Sequence, residues 1–162
     1  MNSKTVSQKK ASAIREGLRR SKKSVVFTNG CFDIIHSGHA VYLDRARRLG
    51  DFLIVGLNTD KSVRRLKGNN RPIMSFRDRA LLLSYLTPVD LVVGFGDDTP
   101  LNLIKKLRPD ILVKGADYRI SEIVGAREVK GWGGCVRRIQ LVKDRSTSEI
   151  IRKMQKASRA KP

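Results

Sequence analysis

The sequence is poor in acid. Its 15 Asp and Glu stand against 34 Lys and Arg, a formal net charge of +19, and an excess that large calls for an anionic partner or serves solubility. Cysteine is nearly missing too: Cys31 and Cys135, in unrelated contexts, make no disulfide framework and read as small apolar side chains in a reducing compartment. No apolar run approaches the ~20 residues that cross a bilayer, and the basic N-terminus is not followed by the apolar segment of a signal peptide. The expectation is a cytoplasmic protein with no membrane insertion. Aromatic residues make up 6% of the chain, and the basic ends, from Lys4 to Lys23 and from Arg152 to Lys161, contain none. A nucleic-acid module usually interleaves aromatics with its cations for stacking. No specific nucleic-acid partner is therefore expected, only nonspecific attraction to RNA or an anionic membrane at low salt. Histidine is scarce as well, and both copies, His36 and His39, fall in one short stretch.

What the chain does have is regular alternation. Apolar strand-like runs at 25–28, 52–58, 91–95, 111–113 and 136–142 are separated by segments of helical spacing, with a further amphipathic helix over 11–20. Continuous apolar runs such as FLIVGLN (52–58) belong to strands covered on both faces. The pattern predicts one α/β domain over 11–154, an open, mostly parallel sheet with helices on both faces. A flexible basic N-terminus (1–10) and a basic tail (155–162) flank it. The ligand crevice of such a sheet lies at the carboxyl ends of its strands, where the strand at 25–28 meets that at 111–113.

The stretch NGCFDIIHSGH, Asn29 to His39, joins the first of these strands to its helix. Gly30 and Gly38 permit a tight turn, and a helix opening near Gly38 presents unpaired N–H groups and a partial positive charge, a natural phosphate site. His36 and His39, spaced i, i+3, can aim two donors at one spot, as a reaction gathering charge on a phosphoryl group requires. Two other readings stand beside this one. The pair could be ordinary loop or core histidines, or Cys31, Asp33, His36 and His39 could hold zinc, although structural zinc usually draws on a second ligand cluster and Cys135 is distant.

Further candidates sit on the other loops. Asn58, Thr59 and Asp60 follow a strand end and should face the same crevice. The following segment, KSVRRLKGNNRP, reads as a cationic loop with Arg64 and Lys67, turning at Gly68 to Asn70, suited to a polyphosphate or else a solvated surface. Ser75 caps a helix that carries Arg77 and Arg79 in its first turn, where cations are unfavourable unless an anion meets them. Gly115 and Asp117 of KGADY could approach a base or hydroxyl. Ser146, Thr147 and Ser148 open the last helix and can bind phosphate. Ser121 to Gly134, with the one tryptophan among its glycines, reads as a structural turn or a mobile flap.

The run VVFTNGCFDIIHSGHAVYLDRARRLGD resembles the HxGH core of the cytidylyltransferase-like nucleotidyltransferases, which join a nucleoside triphosphate to a small phosphorylated molecule and release pyrophosphate. RLKG followed by RP, the DTP element, LVKGADY and the segment from GAREV to Trp132 are similar to the heptose 1-phosphate adenylyltransferase branch, and the resemblance runs from about Ala11 to Met154. The cytidylyltransferases carry an arginine and a longer loop before the hydroxyl run, where this chain has the shorter KDR. The resemblance implies a Rossmann-like nucleotidyltransferase fold. It implies catalysis by His36, His39, Lys67 and Arg79, and nucleotide binding by Thr28, Asn29, Gly30, Cys31, Phe32, Gly38, Gly115, Asp117, Ser146, Thr147 and Ser148. Asp33, Asn58, Asp60 and Arg64 fall to the second substrate. The implied substrates are ATP and a sugar 1-phosphate, D-glycero-β-D-manno-heptose 1-phosphate, with ADP-heptose and pyrophosphate as products. Magnesium would be the cofactor, held mainly by the triphosphate rather than by protein ligands. Family members often carry a heptose kinase ahead of this domain; none precedes it here, so a separate kinase is the expected upstream partner, and a homodimer is among the assemblies the resemblance allows. A glycerol 3-phosphate cytidylyltransferase and a non-catalytic basic RNA-binding module are the alternatives.

Overall fold

The computed structural model describes residues 4–142 and 145–159. Lys143 and Asp144 of the KDR stretch, Met1 to Ser3 and the end of the basic tail beyond Arg159 lie outside the described residues. The elements run β1 (Thr5–Val6), α1 (Gln8–Arg20), β2 (Val25–Gly30), α2 (Ser37–Arg47), β3 (Phe52–Asn58), α3 (Asp60–Lys67), α4 (Phe76–Tyr85), β4 (Leu91–Phe95), α5 (Leu101–Leu107), β5 (Ile111–Gly115), α6 (Ala126–Gly131), β6 (Cys135–Ile139) and α7 (Thr147–Arg159). The six strands form one sheet in the order β1-β4-β3-β2-β5-β6, and every pairing is parallel.

Alternation along the strands explains the two layers. Val25 and Phe27 of β2 and Ile54 of β3 join α1, α5 and α6 through Ala11, Leu103, Ile104, Leu107 and Val129. Val26, Leu53, Val55 and Leu57 point the other way and meet Tyr42, Leu43, Ala80 and Leu83 of α2 and α4. The chain winds from β2 to β4 on one side and then crosses to β5 on the other, so β2 and β5 are the neighbours at which direction reverses. The carboxyl ends of β2, β3 and β5 open at this point, as expected of the fold.

Four segments differ from the reading of the sequence. The N-terminus contributes structure before Ala11: Thr5 and Val6 pair with Val92 and Val93, and α1 begins at Gln8 behind a Ser7 cap. Two residues are too few for periodicity to register. The supposed loop after Asp60 is α3, capped by Thr59, whose hydroxyl accepts from Ser62 N, and closed by Gly68 at a φ of 93°. Its cations Arg64, Arg65 and Lys67 stand in the last turn, where the helix dipole favours them. Residues 126–131 form α6 rather than a flap. Trp132 is tied down: its Nε1 donates to Pro109 O at 3.0 Å, its ring packs on the core, and the Arg108 guanidinium lies 5.3 Å from the ring centre. At the C-terminus α7 continues through the first part of the supposed tail to Arg159. Among the described residues no helix is long and apolar enough to cross a membrane.

Candidate active site

The turn after β2 is built around close approaches. Phe32 is held at a φ of 45°, an unfavourable conformation for a bulky side chain that only surrounding structure can enforce. Its ring packs at 59° on His39, 5.1 Å between centres. His36 occupies the N-cap of α2 in extended conformation without using its side chain as a cap, which leaves the imidazole free to lie on His39. The two rings stack 3.8 Å apart at an interplanar angle of 25°. Gly38 makes room for this: a Cβ there would sit 2.9 Å from two atoms of the His36 ring and 3.1 Å from Arg145 Cβ. Burial pushes His39 down to about 4, with the neighbouring His36 adding to it; burial and then Arg145 lower His36 as well. Both rings are thus neutral at pH 7, and Nδ1 of each is buried without a hydrogen-bond partner.

The start of α7 faces this turn. Thr147 Oγ1 donates to Ile34 O at 3.3 Å, joining the two helix tips. Ser146 Oγ is committed as a cap, accepting from Glu149 N at 3.1 Å. Between the tips lies a crevice of about 310 Å³ that continues into a second lobe of about 370 Å³. The first lobe alone is lined by His36, Gly38, Gly115, Asp117, Arg145 and Ser146. The second alone is lined by Asp33, Asn58, Leu66 and Arg71. A shared waist holds Asn29, Gly30, Cys31, Phe32, His39, Lys67, Lys114, Tyr118, Thr147 and Ser148. At Gly115 the backbone comes close to the site: a Cβ there would displace the Asp117 carboxylate and press on Leu141.

This arrangement, two histidines at one helix tip facing hydroxyls at another across a cationic crevice, agrees with what related proteins are. The family profile described as cytidylyltransferase-like matches residues 27–153. The chain belongs to the cytidylyltransferase-like family. It is 59% identical over 141 residues to the bifunctional protein HldE of Campylobacter curvus, covering 87% of this chain and 29% of that one. With HldE of Magnetococcus marinus the identity is 58% over 132 residues, 82% of this chain and 27% of that protein. The chain therefore spans under a third of the length of these relatives. A lipopolysaccharide core biosynthesis protein from Thermoplasma volcanium has a similar structure, with a TM-score of 0.61 and 30% identity over 75% of this chain and 98% of that one. A pantoate–β-alanine ligase from Francisella tularensis shares the fold at a TM-score of 0.60 and 14% identity, covering 97% of this chain and 79% of that one.

Within this cytidylyltransferase-like site, four expected residues stand outside the crevice. Arg79 is fully buried. Its guanidinium is spent on Cys31 O at 2.5 Å, Met74 O at 3.0 Å and Asp60 at 2.7 Å. It acts here as a brace between the histidine turn, α3 and the start of α4, with Asp60 as its counter-ion. Thr28 is buried beneath the site, its hydroxyl 2.8 Å from Tyr42 OH. Arg64 is exposed on α3 and lines neither lobe. Asp33 does border the second lobe, yet its carboxylate is taken by Arg71 Nε at 2.5 Å, Ile73 N at 2.7 Å and Met74 N at 2.9 Å. Burial alone would raise its pKa; the two backbone N–H groups and Arg71 outweigh that and hold it below the ordinary carboxylate range.

Among the lining residues not singled out from the sequence are Lys114, Tyr118 and Arg145. Lys114 stood in view inside KGADY, a lysine in a strand that had to be covered on both faces, which is the signal that could have found it. Its ammonium donates to Asn29 O at 3.3 Å and lies 5.8 Å from the Tyr118 ring centre. Burial lowers it to about 8 against the raising effect of Cys31 and Asp117. Among the described residues no three His, Cys, Asp or Glu side chains gather as a metal site. The zinc reading loses Asp33 to Arg71.

Proposed function

We propose that this chain is a sugar-phosphate adenylyltransferase, transferring AMP from ATP to D-glycero-β-D-manno-heptose 1-phosphate and releasing pyrophosphate, in the cytoplasm and for lipopolysaccharide core or related heptose glycans. The observation that carries the reading is the waist of the crevice, where neutral His39, Lys67, Lys114 and the hydroxyls of α7 converge between two lobes of substrate size. The strong identity to HldE proteins and the likeness to a lipopolysaccharide core biosynthesis protein support the choice of heptose.

The chemistry asks for placement and charge. A sugar 1-phosphate has a second pKa near ~6, so its oxygen is already an anionic nucleophile at neutral pH and no general base is needed. That oxygen attacks the α-phosphorus of ATP in line; the new O–P bond forms as the bond to the β-phosphate breaks, and the electron pair leaves on pyrophosphate. His36 and His39, as neutral rings, donate N–H bonds to the α-phosphoryl oxygens, where charge builds up in the transition state. Gly115 and Asp117 border the lobe assigned to the nucleoside, and Asn58 and Arg71 the lobe assigned to the sugar. Among the described residues the lining carboxylates are Asp33, which is paired with Arg71, and Asp117, which borders the nucleoside lobe, so magnesium would be carried mainly by the triphosphate. When bound it neutralises phosphate charge.

The deciding experiment measures pyrophosphate release from ATP and from CTP, each paired with the heptose 1-phosphate or with glycerol 3-phosphate. Release with ATP and heptose 1-phosphate alone is expected. Release with CTP and glycerol 3-phosphate would move the protein to the cytidylyltransferase alternative. Silence in all pairings, with RNA binding that survives loss of both histidines, would favour the binding module.

A further inference from the structure

We infer that Lys114 is the residue that makes a phosphate monoester, rather than a neutral hydroxyl, the acceptor: its ammonium bridges the attacking phosphate and the α-phosphate at the waist of the crevice. The inference rests on the adenylyl-transfer reading and adds to it the residue that selects a phosphate acceptor.

The argument begins with charge. In the proposed reaction a phosphate dianion must approach a phosphoryl group that is itself anionic, and their repulsion grows as water is excluded. A cation fixed at the meeting point offsets this, and it must be in place beforehand to act without reorganisation. The histidines do not supply it, since burial keeps both neutral. Arg79 does not either, being buried in its own three contacts.

Among the described residues, Lys67, Lys114, Arg71 and Arg145 are the cations that line the crevice. Arg145 borders only the first lobe and Arg71 only the second, where it is bonded to Asp33. Lys67 and Lys114 border both. They differ in how they are held. Lys67 is exposed in the last turn of α3. Lys114 rises from β5, one residue before the strand end, and is anchored by Asn29 O and by the Tyr118 ring. Asn29 is the residue of β2 beside the turn that carries both histidines. The ammonium is therefore fixed at the switch point of the sheet, between the place of nucleotide and acceptor.

The groups that act on this ammonium come from each side: Cys31 from the histidine turn and Asp117 from the loop after β5 both favour its charge. Tyr118, His39 and Lys67 complete the waist. Burial outweighs the favourable pair and brings the free protein's Lys114 to about 8. A bridging role then predicts that kcat/KM for the acceptor falls on the alkaline side, at a pH above that value because the bound triphosphate favours the ammonium, since the neutral amine no longer offsets anion repulsion.

The test compares wild type, Lys114→Arg and Lys114→Met in the full chain, with acceptor varied at saturating ATP from pH 6.5 to 9.5. Thermal melting checks that each variant is folded. Lys114→Met is expected to lose about 100-fold or more in kcat/KM for the acceptor, with a smaller loss of affinity for a non-hydrolysable ATP analogue, to which the ammonium makes one contact. Lys114→Arg, charged at every pH tested, is expected to keep measurable turnover and lose the alkaline fall. A folded Lys114→Met within fivefold of wild type, or an unchanged alkaline fall in Lys114→Arg, would overturn the inference. Turnover by wild type with CTP and glycerol 3-phosphate instead would overturn the heptose assignment alone, and the same comparison then runs on that phosphate acceptor. If wild type loaded with the ATP analogue binds neither phosphate monoester in a calorimetric titration, both readings fail.

Discussion

At the scale of single residues the site turns on charge states that burial sets. His39 sits against Phe32 and His36 and titrates near 4, so it works as a neutral donor and contributes no ionisation near the usual histidine value of about 6.5. His39→Ala is expected to lower kcat by about 100-fold or more, with no histidine limb in the wild-type pH profile between 6 and 7. Retention of more than a tenth of wild-type turnover would remove the central role given to this ring. The two histidines were legible because a glycine-bearing strand-to-helix turn holding the chain's whole supply is an unusual pattern. Arg79 was half legible. A cation in the first turn of a helix does need an anion, but the anion is Asp60 and the remaining donors go to the carbonyls of Cys31 and Met74. Sequence indicates the need for a partner, and only the fold shows that the partner is internal. Lys114 shows the reverse case, a lysine in a strand covered on both faces whose partners, Asn29 O and the Tyr118 ring, only the fold reveals.

At the scale of elements the histidine turn is positioned from outside itself. Asp33 bonds the segment at 71–74 and Arg79 binds the carbonyl beside Phe32's strained turn and Asp60 of α3, so α3, α4 and the turn after β2 are tied into one block. Asp33→Ala would leave the Arg71 guanidinium and two N–H groups without their acceptor in a site where the carboxylate is 2% exposed. The expected cost is about 3 kcal/mol by urea denaturation, and a loss below about 1 kcal/mol would show that the segment is held by other contacts. The sign of the pH dependence follows from the lowered pKa. The folded carboxyl titrates below its unfolded value of about 3.9, so its contribution is complete above that value and is lost as pH falls through the folded one. Of this block the cap at Ser75 was readable, with Asp78 three residues on. The helix α3 was not, because its eight residues are mostly charged and only Ser62 and Val63 are buried, too short a stripe to register against a run of cations.

At the scale of the whole molecule the alternation of strands and helices was enough to specify an open parallel sheet and the reversal between β2 and β5. The edge strand β1 escaped because its pairing partner, β4, lies more than 80 residues away. Charge is spread unevenly over this frame. Arg15, buried in α1, ties the far end of the sheet together through Leu107 O, Arg108 O and Asp110. Trp132 belongs to that far end. It is held by Pro109 O before β5 begins, whereas the crevice opens where β5 finishes, at Gly115. The protein's one tryptophan is thus a reporter of unfolding and a poor reporter of catalysis. Its emission should shift when the chain is denatured and stay within a few per cent on addition of nucleotide, whereas Tyr42 and Tyr118, which line the crevice, carry whatever optical signal binding produces. A large tryptophan response to ATP would mean that the two ends of the sheet communicate.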